Sequence, residues 1–225
     1  MDKAALAERY ARVKAQLPPG VELVAVSKTR TVEEIKALYD LGQRAFGENY
    51  PQELRDKHPL LPGDIEWHFI GTLQTNKVKY VAPFAHLVHG VDSERLLGEL
   101  DKRAAAAGRN LGVLLQVHIA QEETKHGFLP DELRGLCSGK GLRQRWPNLV
   151  FRGLMGMATN TDDHGQVGRE FGGLAALRAE LAQNAALAEE PFTELSMGMS
   201  GDLPEALAAG STMVRIGTAI FGERH

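Results

Sequence analysis

A lysine amine is a nucleophile only when deprotonated, and partial burial favours that state because the charged form loses its hydration. Lys28 stands where such burial is expected, directly after the apolar run Leu23-Val24-Ala25-Val26 and Ser27, and before Thr29-Arg30. Two readings are open from position alone: a Schiff-base lysine at the mouth of a fold, or an ammonium that simply reaches water at the rim. Near the other end of the chain, Arg215-Ile216-Gly217-Thr218 places glycine and a hydroxyl straight after an apolar strand. Backbone N–H groups around Gly217, with the Thr218 hydroxyl, can bind a phosphate because no side chain blocks its approach. Ser196-Met197-Gly198-Met199-Ser200-Gly201 is a second small-residue loop, and the helix that starts near Leu203 adds amides and a favourable dipole. Tight turns alone would also explain these glycines. Two such loops opposite a lysine point to a phosphorylated aldehyde or sugar.

Other candidates are weaker. His68, in Trp67-His68-Phe69-Ile70-Gly71, lies within a strand and faces either the ligand or the packed interior. No second histidine or carboxylate stands at metal spacing from it in the sequence, and Glu122-Glu123 with His126 reads as an accidental grouping, so no metal is predicted. Arg215 shares its facing with Gly217 by strand alternation and is either an inward cation or half of a structural ion pair. The single cysteine, Cys137, cannot form an intramolecular disulfide and reads as a buried thiol.

The elements that position these residues recur as short apolar runs followed by longer segments of helical periodicity, the pattern of βα units. Eight strands are predicted: 21–27, 44–47, 66–70, 86–90, 111–119, 150–155, 194–197 and 213–216. Helices are predicted over 31–41, with Thr31 and Glu34 as a capping pair and Gly42 as its stop, after Asn49, after Gln74, and over 93–107, 130–137, 164–188 and 203–209. The segment 138–147 reads as a surface connection. Eight units in series favour a closed (β/α)8 barrel over an open doubly wound sheet, with an additional amphipathic helix at the N-terminus. In such a barrel the chemistry lies at the carboxyl ends of the strands, where Lys28, Gly217 and the 196–201 loop fall.

At 225 residues, one domain spanning the chain is expected. The composition, 43% hydrophobic and 24% charged, is that of an ordinary globular protein. A formal net charge of −3 leaves no basic surplus for a nucleic-acid backbone. The N-terminal stretch lacks the apolar core of a secretory signal, no apolar run approaches the length of a membrane span, and a cytoplasmic location is expected.

Five segments in order resemble the pyridoxal phosphate homeostasis protein family, small barrels similar to the N-terminal domain of alanine racemase. They are Ala25-Val26-Ser27-Lys28-Thr29, Phe46-Gly47-Glu48-Asn49-Tyr50, the run from Trp67 to Lys77, the run from Leu195 to Asp202, and the run from Gly210 to Gly222. The resemblance implies that Lys28 carries pyridoxal 5′-phosphate (PLP) as an aldimine, that Ser200, Gly217 and Thr218 hold its phosphate with Met199 alongside, that Arg215 faces the pyridine nitrogen, and that Asn49 and His68 lie near the ring. His118 stands where the family is expected more often to have asparagine. A cation beside the pyridine nitrogen discourages its protonation and makes the ring a poor electron sink. The chain ends seven residues after Thr218, without the second domain that supplies the opposing base in alanine racemases. The resemblance therefore implies a carrier of PLP, monomeric, exchanging its cofactor with amines or apo-enzymes. A racemase is the alternative, and a barrel enzyme acting on a phosphosugar is a third reading.

Overall fold

The computed structural model describes residues 2–122, 124–139 and 141–223. Eight parallel strands close into a barrel in sequential order: β1 (Glu22–Val26), β2 (Ala45–Glu48), β3 (Glu66–Phe69), β4 (Leu87–Val91), β5 (Leu111–Val117), β6 (Leu149–Gly156), β7 (Glu194–Ser196) and β8 (Met213–Ile216). Helix α1 (Lys3–Ala15) precedes the barrel, capped by the Asp2 carboxylate, and Arg9 Nε donates to the Ile220 carbonyl at 2.7 Å. Between strands lie α2 (Val32–Asp40), α3 (Pro51–Lys57), α4 (Glu94–Ala106), α5 (Pro130–Cys137), α6 (Leu142–Arg145), α7 (His164–Leu181) and α8 (Leu203–Ala208), with α9 (Thr218–Phe221) after β8.

Local chemistry accounts for the boundaries. Thr31 and Glu34 form the reciprocal capping box that starts α2, and Gly42 at φ 100° follows its end. Ser93 caps α4, whose Leu96, Leu97, Leu100 and Ala104 are buried against the sheet. Two apolar layers result. Val24, Ala45, Leu87, Leu114, Met155 and Met213 fill the barrel, while the larger cluster lies between sheet and helices.

Several boundaries differ from those predicted. The fifth strand ends at Val117, because residues 118–120 leave the ladder, and the second and fourth run one residue later. The connection after Gln74 is a 3₁₀ helix, Thr75–Tyr80, not an α-helix. The long seventh helix breaks after Leu181 and resumes as a single 3₁₀ turn, Ala185–Leu187, where Asn184 caps Ala186. The connection over 138–147 contains α6, and α9 adds to the predicted set; both are single turns too short for periodicity to reveal.

Strand β6 is irregular at Arg152. Val113 pairs with Phe151 and Leu114 with Gly153, so Arg152 is the extra residue of a bulge. Gly153 has φ 152°, and a Cβ there would lie 2.0 Å from the Glu194 carbonyl oxygen, so only glycine fits. Among the described residues, no helix is long and apolar enough to cross a membrane.

Candidate functional site

At the carboxyl ends of the strands a cavity of about 320 Å³ opens beneath the turn that carries Lys28. Val26, Ile70 and Met157 form its apolar wall, and Asn49, Arg215 and the Met199-Ser200-Gly201 and Gly217-Thr218 segments supply the rest.

The Lys28 turn is held in an unusual conformation. Thr29 has φ 63°, a left-handed value that a β-branched residue rarely takes, and a functional turn is where such strain persists. Its N–H donates to Glu53 Oε2 at 2.8 Å. Lys57, from α3, donates to the Ser27 carbonyl (3.0 Å), Glu48 Oε1 (2.8 Å) and Glu53 Oε2 (2.6 Å), and the Ser27 hydroxyl donates to Glu48 Oε1 at 2.7 Å. The residues on both sides of Lys28 are thus fixed through one lysine and two carboxylates. Burial raises the Glu48 carboxyl to about 7, only partly offset by Lys57 and Ser27. Burial acts the same way on Glu53, but Lys57 and the Thr29 N–H outweigh it and hold that carboxyl below its usual value.

Arg215 forms the floor. It is 5% exposed, donating from Nη1 to Ser196 Oγ at 2.6 Å and from Nη2 to the Gly156 carbonyl at 3.3 Å. No carboxylate lies within ion-pair distance of it among the described residues, which resolves its role as an inward cation. Burial lowers it to about 10, so it stays charged at neutral pH.

Asn49 reaches the cavity from the end of β2, its Oδ1 buried without a hydrogen-bond partner among the described residues. Gly71 explains how its backbone is placed, since a Cβ at that position would lie 2.4 Å from the Asn49 carbonyl oxygen. Asp202 accepts from the Met199 N–H at 2.5 Å and braces the 198–202 loop.

His68 does not line this cavity. It lies one layer deeper, 1% exposed, with Nδ1 2.9 Å from His89 Nε2. His89 Nδ1 is in turn 2.8 Å from Ser196 Oγ, the atom that accepts from Arg215. Because β4 and β7 are not neighbours, that contact has to cross the barrel interior. Burial lowers both imidazoles, His68 to about 3 and His89 well below its usual value, so both are neutral. Sequence patterning does not reveal this chain of contacts. Its only signal is a polar residue at an inward position in each of β3, β4, β7 and β8.

Elsewhere, His118 lies outside the cavity, with Nε2 3.1 Å from the Glu122 carbonyl. Glu123, one member of the grouping that reads as accidental, falls outside the described residues. The Cys137 thiol is buried and pushed up to about 11.

The family model for the alanine racemase N-terminal domain matches residues 1–225. The pyridoxal phosphate homeostasis protein of Vibrio cholerae is 45% identical over 211 residues, 91% of this chain and 86% of that protein. The chain belongs to the pyridoxal phosphate homeostasis protein family. Solved structures agree with that membership. PipY of Synechococcus elongatus without PLP superposes with a TM-score of 0.90 at 37% identity, covering 96% of this chain and 100% of that one. The same protein with PLP bound gives 0.83 and 36% over the same shares. The alanine racemase of E. faecalis shares the barrel fold at a TM-score of 0.76 and 18% identity, covering 100% of this homeostasis-family chain and 59% of that one.

Proposed function

We propose that this chain binds PLP in the Lys28 cavity and takes part in its homeostasis, holding it covalently through Lys28 and handing it on, without efficient turnover of its own. The observation that carries the reading is the convergence in one cavity of an amine, a buried guanidinium with no carboxylate partner among the described residues, and an orphaned amide oxygen. A flat, anionic heteroaromatic aldehyde fits that donor set: Arg215 offers N–H donors to a ring nitrogen, and Val26, Ile70 and Met157 offer apolar contact to a ring. The Ser200 and Thr218 hydroxyls stand at the exposed rim, where a phosphate can keep part of its hydration, and Gly217 leaves room for it.

When bound, PLP supplies an aldehyde that condenses with amines. Lys28 is the attachment point, and the Ser27–Glu48–Lys57–Glu53 network fixes the backbone that aims it. Asn49 orients the ring edge. Arg215, which stays charged at neutral pH, would donate to the ring nitrogen and discourage its protonation, which would withhold the electron sink that amino-acid chemistry needs. His68 acts at one remove, through His89 and Ser196, on the orientation of Arg215. The relatives named for PLP homeostasis, and PipY with PLP bound, support the same choice of ligand.

Two measurements on the loaded protein test the proposal. Transfer of cofactor to an apo-enzyme with negligible exchange of amino-acid α-protons is expected. Rapid, Lys28-dependent incorporation of deuterium at an amino-acid α-carbon would overturn the carrier reading in favour of a racemase, and failure to retain PLP at all would overturn the ligand.

A further inference from the structure

The amino-terminal end of the barrel carries a second constellation, on the side away from Lys28. One ligand atom each from Glu22 at the start of β1, Glu66 at the start of β3, and His68 lie within 4.8 Å of one another. His68 Nδ1 is engaged with His89, which leaves Nε2, and Nε2 is buried with no hydrogen-bond partner among the described residues. The two glutamates are only partly buried, so the group opens on the barrel mouth. Neither makes an ion pair or a side-chain hydrogen bond among the described residues. The bulge at Arg152 brings a guanidinium into the neighbourhood and Lys14 adds a second cation, while Glu194 adds a third carboxyl, so three carboxyls face two cations.

From this arrangement we propose that Glu22, Glu66 and His68 form a binding site for one first-row divalent transition-metal ion, of the Zn²⁺ or Mn²⁺ class. The ligand set decides the class. Two carboxylate oxygens and one neutral imidazole nitrogen suit such ions, whereas Mg²⁺ and Ca²⁺ favour all-oxygen sets. A tetrahedral ion with bonds of ~2.1 Å holds its ligand atoms roughly 3.4 Å apart, so from separations within 4.8 Å the carboxyls close inward by up to about 1.4 Å. Side chains at an open mouth have that freedom, and water completes the coordination. His68 is a ready ligand because burial already keeps it neutral, and coordination through Nε2 requires its proton on Nδ1, donated to His89. Half of the site is visible in the sequence, because Glu66 stands two residues before His68 on the same face of β3, contrary to the expectation that no carboxylate lies at metal spacing from that histidine; Glu22 is far away in the chain and only barrel closure brings it in. The site does not depend on whether Lys28 holds a cofactor.

Equilibrium dialysis against Zn²⁺, with metal content measured per chain, tests it. The wild-type protein should retain one ion, and Glu22→Gln/Glu66→Gln should reduce affinity at least 10-fold. That double variant removes two facing carboxylates and should fold. A Lys28→Ala variant stripped of PLP must retain the ion, which separates this site from chelation by the cofactor. Equal zinc binding by wild type and the double variant would overturn the proposal, as would loss of the ion in Lys28→Ala. A ¹⁵N measurement on the zinc-loaded protein should place the His68 proton on Nδ1, and an unchanged His68 spectrum on loading would equally sink the assignment.

Discussion

At the carboxyl-terminal mouth of the barrel, Lys57 donates to Ser27, Glu48 and Glu53 at once; at the amino-terminal mouth, Glu22 and Glu66 face each other with no cation in ion-pair contact among the described residues. The first arrangement is scaffolding. It pairs its charges internally, with only Glu48 Oε2 left without a hydrogen-bond partner among the described residues, and leaves a positioned backbone, on which Lys28 sits. The second leaves two half-exposed carboxyls and a buried imidazole nitrogen, His68 Nε2, without partners among the described residues, and burial of such a nitrogen without a partner costs roughly 1–3 kcal/mol. Such a cost is tolerated where a ligand offsets it. The same contrast holds inside the Lys28 cavity, where the Asn49 Oδ1 lacks a partner among the described residues and no described carboxylate pairs with Arg215, while the Met199 N–H is braced by Asp202.

Substitutions at the two mouths should separate these roles. Lys57→Ala removes the shared donor of the Ser27 carbonyl and the Glu48 and Glu53 carboxyls, leaves Glu48 protonated, and should cost about 2–3 kcal/mol in urea unfolding. A loss below ~1 kcal/mol would show that the network is not scaffolding. Arg215→Met removes the charged donor at the cavity floor and should weaken PLP retention ~10–100-fold in dialysis, in line with a charge-assisted hydrogen bond of ~1.5–3 kcal/mol. In Arg215→Glu the spectral pH titration of bound PLP should move upward, because a carboxylate stabilises the protonated ring nitrogen; an unmoved titration would separate Arg215 from that nitrogen. The Glu48 carboxyl keeps its proton to about pH 7 in the folded chain but loses it near 4.5 when unfolded. The folded state therefore binds more protons across that window, and stability falls as pH rises from about 4.5 to 7, by at most ~1.4 kcal/mol per pH unit. Glu22, raised to about 7 chiefly by burial, adds a slope of the same sign and size, so Glu48→Gln should roughly halve the total, and a slope unchanged by the substitution would locate the titration elsewhere. Arg12→Ala breaks only the exposed pair with Glu8 and should change stability by ~0.5 kcal/mol or less.

The barrel itself was legible in the sequence because each strand is an apolar run and several helices carry their own start and stop signals, as with the Thr31–Glu34 capping box and Gly42 around α2. The cavity was legible for a related reason: Lys28, Ser200, Arg215 and Gly217 all stand at or near strand ends, where a closed barrel brings its loops together, whereas Asn49 came only from the family resemblance. What a one-dimensional reading could not show was contact across the barrel. His89 and Ser196 meet only because β4 faces β7, and Glu22 meets Glu66 only because β1 and β3 flank β2. Lys57 was hidden differently, since a lysine on a short polar helix looks solvated until its reach over the Ser27 carbonyl is seen.

Whether Lys28 is the covalent anchor for PLP can be settled by incubating the protein with PLP, reducing it with borohydride and mapping the peptides. A single pyridoxyl label is expected, on Lys28, and none in Lys28→Ala. A label distributed over other lysines, or persisting in that variant, would contradict the assignment of Lys28 as the anchor.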